Sequence, residues 1–305
     1  MILTEVNNIN PMFQSSFACA EETVSVTFPK EGIKLDFCHC NFECDYEESV
    51  FANPGESEFE NDKSSFLYQL LSNTSTIEFT LVKESTGEEF PIVDNTYGQY
   101  YPKGSFTDHP LKAGVIIEWE KVFIEEGGGR YYLKVDQTNF TQLVTYESRY
   151  FKLQRFQLLL ADLTVRIETI QNGYIEGGLD FTGLNWVQWI RVPGTFGQGR
   201  PNLEKENYLD GTRRRTQIQD GVNYEYTLKT QLINSEVSDF IFRNLILANE
   251  ITVSDYTIWN HKVYRSLEVD PTEIPEPIYT AGTRKAIFAI TFTDRKEDTI
   301  KRNFR

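Results

Sequence analysis

Apolar and polar residues alternate with period two along most of this chain, and no other feature narrows the possible folds as far. Successive residues of a strand point to opposite faces, so such a run buries one face and wets the other. Val24, Val26 and Phe28 share a face, as do Ile33, Leu35 and Phe37 and, further on, Ile77, Phe79 and Leu81. Ile117, Trp119 and Phe123 lead to Gly127, Gly128 and Gly129, after which Tyr131, Leu133 and Val135 resume the pattern. The glycine triplet reads as a hairpin loop, because glycine takes positive φ without steric cost. Strands at this spacing predict a mainly β chain that opens with an immunoglobulin-like β-sandwich over about residues 20–153. Glu43 to Asp62, with eight acids and no base, is expected as an exposed loop, and Ser64 to Leu71 as a short helix.

A length of 305 residues allows about two domains, since single cores stop growing near ~250 residues. The expected division is an acidic sandwich domain over 1–153 and an antiparallel β domain over 154–305. In the second part Leu163, Val165 and Ile167 restart the alternation, and strands are expected near 251–256, 262–269 and 285–292. Val237, Phe240, Ile241, Leu245 and Ala248 recur at three and four residues, which predicts one packed helix over 235–248, capped by Asn234 or Ser235. Gly194 to Gly199 is expected as a flexible loop. The proline-bearing segment Asp270 to Pro277 should stay out of any central strand, because proline lacks the backbone donor. The last eleven residues hold five bases and two acids and read as a basic arm.

The net charge of −15 is uneven: residues 1–150 carry 25 acids and 10 bases, the remainder 20 of each. Binding to nucleic acid or anionic lipid relies on Lys and Arg displacing counterions, so neither tight DNA binding nor membrane binding is expected. No apolar run approaches the ~18 residues of a membrane span, and no basic stretch followed by an apolar one marks an export signal near the start. The thiols should therefore be reduced.

Catalytic chemistry finds little support in the sequence. Three histidines, His39, His109 and His261, accompany no Gly-x-Ser-x-Gly elbow. Gly194 to Gly199 resembles a phosphate loop only superficially, since no Lys-Ser or Lys-Thr follows. Cys38 and Cys40 would share a strand face, and Cys44 and Cys19 offer two further zinc ligands. Their spacing departs from the Cys-x2-Cys pairs of structural zinc sites, and buried thiols act as small apolar residues, so no metal and no cofactor is expected. The chain is read as non-enzymatic.

Four segments resemble the ring-forming tail and portal-adjacent structural proteins of crAss-like and related Bacteroidetes-infecting phages. They are Gly129 to Val135, Glu147 to Leu153, Phe181 to Trp186 and Ala248 to Tyr256. The resemblance spans roughly residues 115–305. It implies a virion protein of the phage tail, assembled in the bacterial host cytoplasm, with many copies arranged around an axis through which DNA passes. Its partners would be other copies of itself in a ring and neighbouring tail or portal proteins. Charge complementarity supplies candidate interface residues. These are Glu43, Asp45, Glu47 and Glu48 on one subunit, facing Arg213, Arg214 and Arg215 or Lys301, Arg302 and Arg305 on the next. The alternative is a carbohydrate-binding or adhesion module with Trp186 and Trp189 as exposed stacking platforms.

Overall fold

The computed structural model describes residues 23–26, 33–35, 47–56, 60–70, 73–139, 142–148, 150–161, 163–173, 181–209, 215–234, 248–256, 264–273, 278–279, 285–295 and 298–301. Its first half holds strands β1 (Thr23–Val26), β2 (Ile33–Leu35), β3 (Glu47–Ala52), β4 (Lys63–Gln69), β5 (Thr76–Lys83), β6 (Glu88–Pro91), β7 (Gly98–Tyr101) and β8 (Lys112–Glu118). Helix α1 (Trp119–Glu126) follows, then β9 (Gly129–Asn139), β10 (Gln142–Glu147), β11 (Tyr150–Arg155) and the short helix α2 (Leu158–Ala161).

These strands form two sheets around one core. The larger runs β2-β1-β10-β9-β11-β3, with β5 and β6 added on the other edge of β9; the smaller runs β4-β8-β7. Strand β9 is the hub, pairing with β5 on one edge and with β10 and then β11 on the other. Ser148 bridges the change from β10 to β11. Its N–H donates to the Leu133 carbonyl at 2.8 Å and its Oγ accepts from the Leu133 N–H at 2.8 Å. Phe66, Tyr68, Val115 and Ile117 of the small sheet meet Phe79, Leu133, Val135 and Phe151 of the large one.

Three expectations for this half are corrected. Lys63–Gln69 is a strand, not a helix, and Glu47–Ala52 is a buried strand inside the segment expected as a loop. Its acids are compatible with a strand because Glu47 and Glu48 find cationic or N–H partners. Trp119 and Phe123 belong to α1, where Trp119, Val122 and Phe123 recur at helical spacing, so the glycine triplet ends a helix rather than joining two strands. Gly127 closes that helix at φ 75°, donating to the Phe123 carbonyl at 3.0 Å. Trp119 is fully buried, donates from Nε1 to Ser64 Oγ at 2.9 Å and packs 4.9 Å from the Phe151 ring. The parallel pairing of β3 with β11 and the inserted α1 are not part of the expected immunoglobulin-like pattern, which these pairings do not establish.

The second half contains β12 (Thr164–Gln171), β13 (Trp186–Phe196), β14 (Arg200–Leu209), β15 (Arg215–Thr230), β16 (Ile233–Asn234) and β17 (Glu250–Tyr256). After them come β18 (Tyr264–Glu273), β19 (Ile278–Tyr279), β20 (Lys285–Ile287), β21 (Ala289–Asp294) and β22 (Asp298–Lys301). Strands β13-β12-β17-β18-β21-β15 are consecutive neighbours, and β15 pairs back onto β13 through Leu228, Lys229 and Thr230. The result is a closed antiparallel barrel of six strands rather than an open sheet. Val165, Ile167, Ile190, Val192, Val253 and Ile290 help fill its core.

Closure depends on Gly194. A Cβ there would lie 2.7 Å from the Lys229 carbonyl oxygen and 3.0 Å from Thr230 Cα, so only glycine lets the two strands meet. The expected flexible loop is thus partly the closing strand, since β13 continues to Phe196. Pro271 also lies in a strand, β18, where the register with β21 shifts between Pro271 and Glu273 and accommodates the missing donor. Within the barrel, Arg265 grips Asp255 with two 2.9 Å bonds and donates to the Phe196 carbonyl at 2.8 Å. The helix expected over 235–248 lies outside the described residues except for Ala248. Among the described residues no helix is long and apolar enough to cross a membrane.

Candidate functional site

Among the described residues, buried polar groups gather where β13 of the barrel meets β3 and β4 of the sandwich. Strand alternation explains its origin. Ile190 and Val192 belong to the barrel core, so Arg191 between them points out of the barrel. It enters the sandwich and is only 4 % exposed. Arg191 Nε donates to Asp62 Oδ2 at 2.8 Å, Nη2 to Asp62 Oδ1 at 2.6 Å, and Nη1 to Thr164 Oγ1 at 3.1 Å. Its backbone N–H donates to Glu48 Oε1 at 2.8 Å, and the guanidinium carbon sits 4.9 Å from the centre of the Phe51 ring.

Asp62, just before β4, also ties the smaller sheet to the larger: its Oδ2 accepts the Phe51 N–H at 2.8 Å and its N–H donates to the Phe51 carbonyl at 2.9 Å, sealing the edge of β3. Arg166 of β12 approaches Asp62 Oδ1 at 3.7 Å and donates to the Tyr264 hydroxyl at 3.2 Å. Two carboxylates, Asp62 and Glu48, therefore meet two guanidiniums, Arg191 and Arg166. Burial by itself disfavours the Arg191 charge, yet the Asp62 and Glu48 carboxylates raise its pKa above the ordinary arginine value. The cluster binds the two halves together.

An aromatic seam continues the junction. Trp186, 4 % exposed, packs with Leu67, Ile116 and Phe181, and its ring centre lies 5.9 Å from that of Tyr101 and 6.1 Å from that of Phe106. Gly114 makes room for it, since a Cβ there would stand 2.8 Å from Trp186 Cη2 and 3.0 Å from the Phe66 carbonyl oxygen. Ser65 Oγ donates to the Val187 carbonyl at 2.7 Å, and His109 Nε2 lies 2.8 Å from the Thr182 carbonyl.

The structure disposes of the expected site residues unevenly. Glu48 is buried and bonded within the chain, which removes it from any intersubunit surface; Glu47 pairs with Arg130 at 2.8 Å. Trp186 is a seam residue, not an exposed platform, because the two halves close over it. Trp189 is half-buried and donates from Nε1 to Glu168 Oε2 at 2.9 Å. Arg215 opens β15 and Lys301 closes β22, with Lys301 paired to Gln219 four residues from Arg215. Glu43, Asp45, Arg213, Arg214, Arg302 and Arg305 lie outside the described residues, as do Cys19, Cys38, Cys40 and Cys44. Among the described residues no three His, Cys, Asp or Glu side chains are grouped to hold a metal ion. Sequence reasoning passed over Arg191 and Asp62. The available signal was the outward face of β13, where Val187 and Trp189 accompany Arg191; so apolar a face implies a cover.

No family model matches the chain, and no curated protein matches it. Among solved structures, the PVC sheath–tube complex of an extracellular contractile injection system in its extended state is similar over 45 % of this chain and 88 % of that one. The identity is 15 % and the TM-score 0.23, too low to bear on fold or function.

Proposed function

We propose that this chain is a non-enzymatic virion structural protein of a tailed bacteriophage, one subunit of a multi-copy tail ring, connector or hub around the DNA channel. The observation that carries the reading is the junction. Three buried charges of the described residues, Arg191, Asp62 and Glu48, join sandwich to barrel and are bonded to one another through Arg191. A subunit that must hold its place under load benefits from such a weld, since separating the halves strips each charge of its buried partner. The resemblance of residues 115–305 to phage tail and portal-adjacent proteins supports the same reading. The acid excess of residues 1–150 fits a channel wall that DNA slides past, because like charges deny DNA a binding minimum. In this reading residues 1–153 and 154–305 are two folding units that move as one.

Light-scattering mass across a salt series, with negative-stain electron microscopy, tests it. Closed rings or a salt-sensitive multimer are expected. A protein that stays monomeric throughout and is retained by defined glycans would overturn the proposal in favour of a carbohydrate-binding module.

A further inference from the structure

Four leucines are left bare where the chain passes from sandwich to barrel. Leu159 and Leu160 of α2, Leu163 just before β12 and Leu232 just after β15 are 73, 38, 56 and 43 % exposed. Leucines scattered singly over a surface need no explanation, whereas a contiguous group marks a contact with another molecule. Hydrogen bonds hold these four on adjoining backbone. The Leu163 N–H donates to the Leu160 carbonyl at 3.3 Å, the Leu163 carbonyl accepts the Gly194 N–H at 3.0 Å, and the Pro193 carbonyl accepts the Gln231 N–H at 2.8 Å. Leu163 and Leu232 thus flank the dipeptide Pro193–Gly194 from either side. Bases border the patch: Arg155 precedes α2, Lys229 opposes Thr195 and Lys285 opposes Asn234, and all three are exposed. Asp162 is the one acid in residues 155–163 and 229–234.

We infer that this patch seats residues 1–22 of a neighbouring copy of this chain, an inference that rests on the multi-copy reading above and names its contact. Those residues lie outside the described ones, and their sequence supplies what the patch lacks. They carry Ile2, Leu3, Val6, Ile9, Phe13 and Phe17 together with three acids, Glu5, Glu21 and Glu22, and no base. The apolar side chains match the leucines, and the acids match the bordering Arg155, Lys229 and Lys285. Reach favours a neighbour's patch over the subunit's own. Thr23 opposes Thr145, which opposes Asp136, and Phe151 opposes Tyr131. Arg155 therefore stands level with residue 127, about nine residues along the sheet from Asp136 and three strands across from Thr23, a separation of roughly 30 Å. Phe17, six residues before Thr23, reaches at most about 20 Å. A neighbour's patch is not bound by that tether. Segment and patch are different parts of the subunit, so the contact is head-to-tail and closes into a ring when its rotation allows.

Two variants of the full chain test the contact. The patch variant carries Leu159→Ser, Leu163→Ser and Leu232→Ser; the segment variant carries Phe13→Ser and Phe17→Ser. Sedimentation velocity should show each alone associating roughly 100-fold more weakly than the unmodified chain, because burying one apolar side chain is worth about tenfold in an equilibrium. An equal mixture should recover association only as far as dimers, since one variant keeps its segment and the other its patch. Circular dichroism checks that both variants fold. A mutation-free measurement uses mixed 14N and 15N protein treated with a carbodiimide, which couples carboxylates to amines in direct contact. Mixed-isotope links from Glu21 or Glu22 to Lys229 or Lys285 are expected. Unchanged association of either variant, a mixture that stays monomeric or grows past dimers, or an absence of mixed-isotope links would overturn this contact while leaving the multi-copy reading in place. An unmodified chain that never associates overturns both.

Discussion

The sandwich and the barrel bury their strands by different means. The sandwich closes its core with large rings, Trp119, Tyr68, Phe79, Tyr131 and Phe151, and inserts α1, whose Trp119 and Val122 join that core. The barrel needs no inserted element: its sheet returns on itself, and the interior is filled mainly by Val165, Ile167, Ile190, Val192 and other branched side chains. Edge strands are where the contrast is sharpest. The sandwich keeps the open edge β6, guarded by exposed Glu88 and Glu89 and ended by Pro91, residues that discourage pairing with another chain. The barrel eliminates its edges by closure, yet extends β14 and β15 into a ribbon that brings an edge back. The same alternating pattern thus yields one region that guards its open edge with charge and another that closes on itself and carries two of its strands past the barrel.

Separating the two regions should produce the largest effect. Arg191→Ala takes from buried Asp62 the guanidinium that donates two of its hydrogen bonds, leaving Arg166 at 3.7 Å as its nearest described cation, and should cost about 3–5 kcal/mol, read by urea denaturation. Calorimetry should then resolve two transitions where the parent shows one; a single, unshifted transition would mean the halves are not coupled through this cluster. Gly194→Val attacks the barrel alone, and the clash with Lys229 and Thr230 should cost about 1–3 kcal/mol, with amide exchange accelerated in β13 and β15 but not in β9. The mirror change in the sandwich, Ser148→Ala, strands the buried Leu133 N–H and should cost about 1–2 kcal/mol, with faster exchange in β9 through β11. Equal exchange changes in both halves would contradict the separation.

The smallest effect is alkaline. Burial, followed by the hydrogen bond to Glu126, pushes Tyr97 up to about 12, and burial followed by Glu126 does the same for Tyr131. Tyr256 in the barrel half reaches about 12 through burial and then Glu60. These hydroxyls stay protonated in the folded chain at a pH where the unfolded chain has ionised them. Their contribution to stability is therefore complete below about pH 10 and is lost as pH rises toward about 12. Absorbance at 295 nm should show late-titrating tyrosines in the folded protein; Tyr97→Phe and Tyr131→Phe should remove sandwich members of that group and Tyr256→Phe the barrel member.

Much of the strand content was legible, and the errors share a cause. Val165, Ile167, Ile251 and Val253 read correctly because each strand has one buried face. Trp119 and Phe123 misled because an apolar residue at every second or fourth position satisfies either period until a third neighbour, here Val122, decides. Glu47–Ala52 misled because acids suggested solvent, whereas Glu48 is neutralised by a strand far away in sequence. Little of the candidate site was legible, since Asp62 and Arg191 are separated by 129 positions and no local rule pairs them.

By itself the amino-acid sequence determined that this chain is mainly β, that its acid excess belongs to the first half and that glycine punctuates its strands, because these follow from local sterics and composition. Only the tertiary structure decided that the second sheet closes into a barrel and that Arg191 faces inward to the sandwich instead of outward to water. It likewise decided that Trp186 is a seam and not a platform. Both faces of β13 are apolar enough to bury, so alternation could not choose between them; the choice was made by what packed against each face, the barrel core on one side and Asp62 with the sandwich on the other.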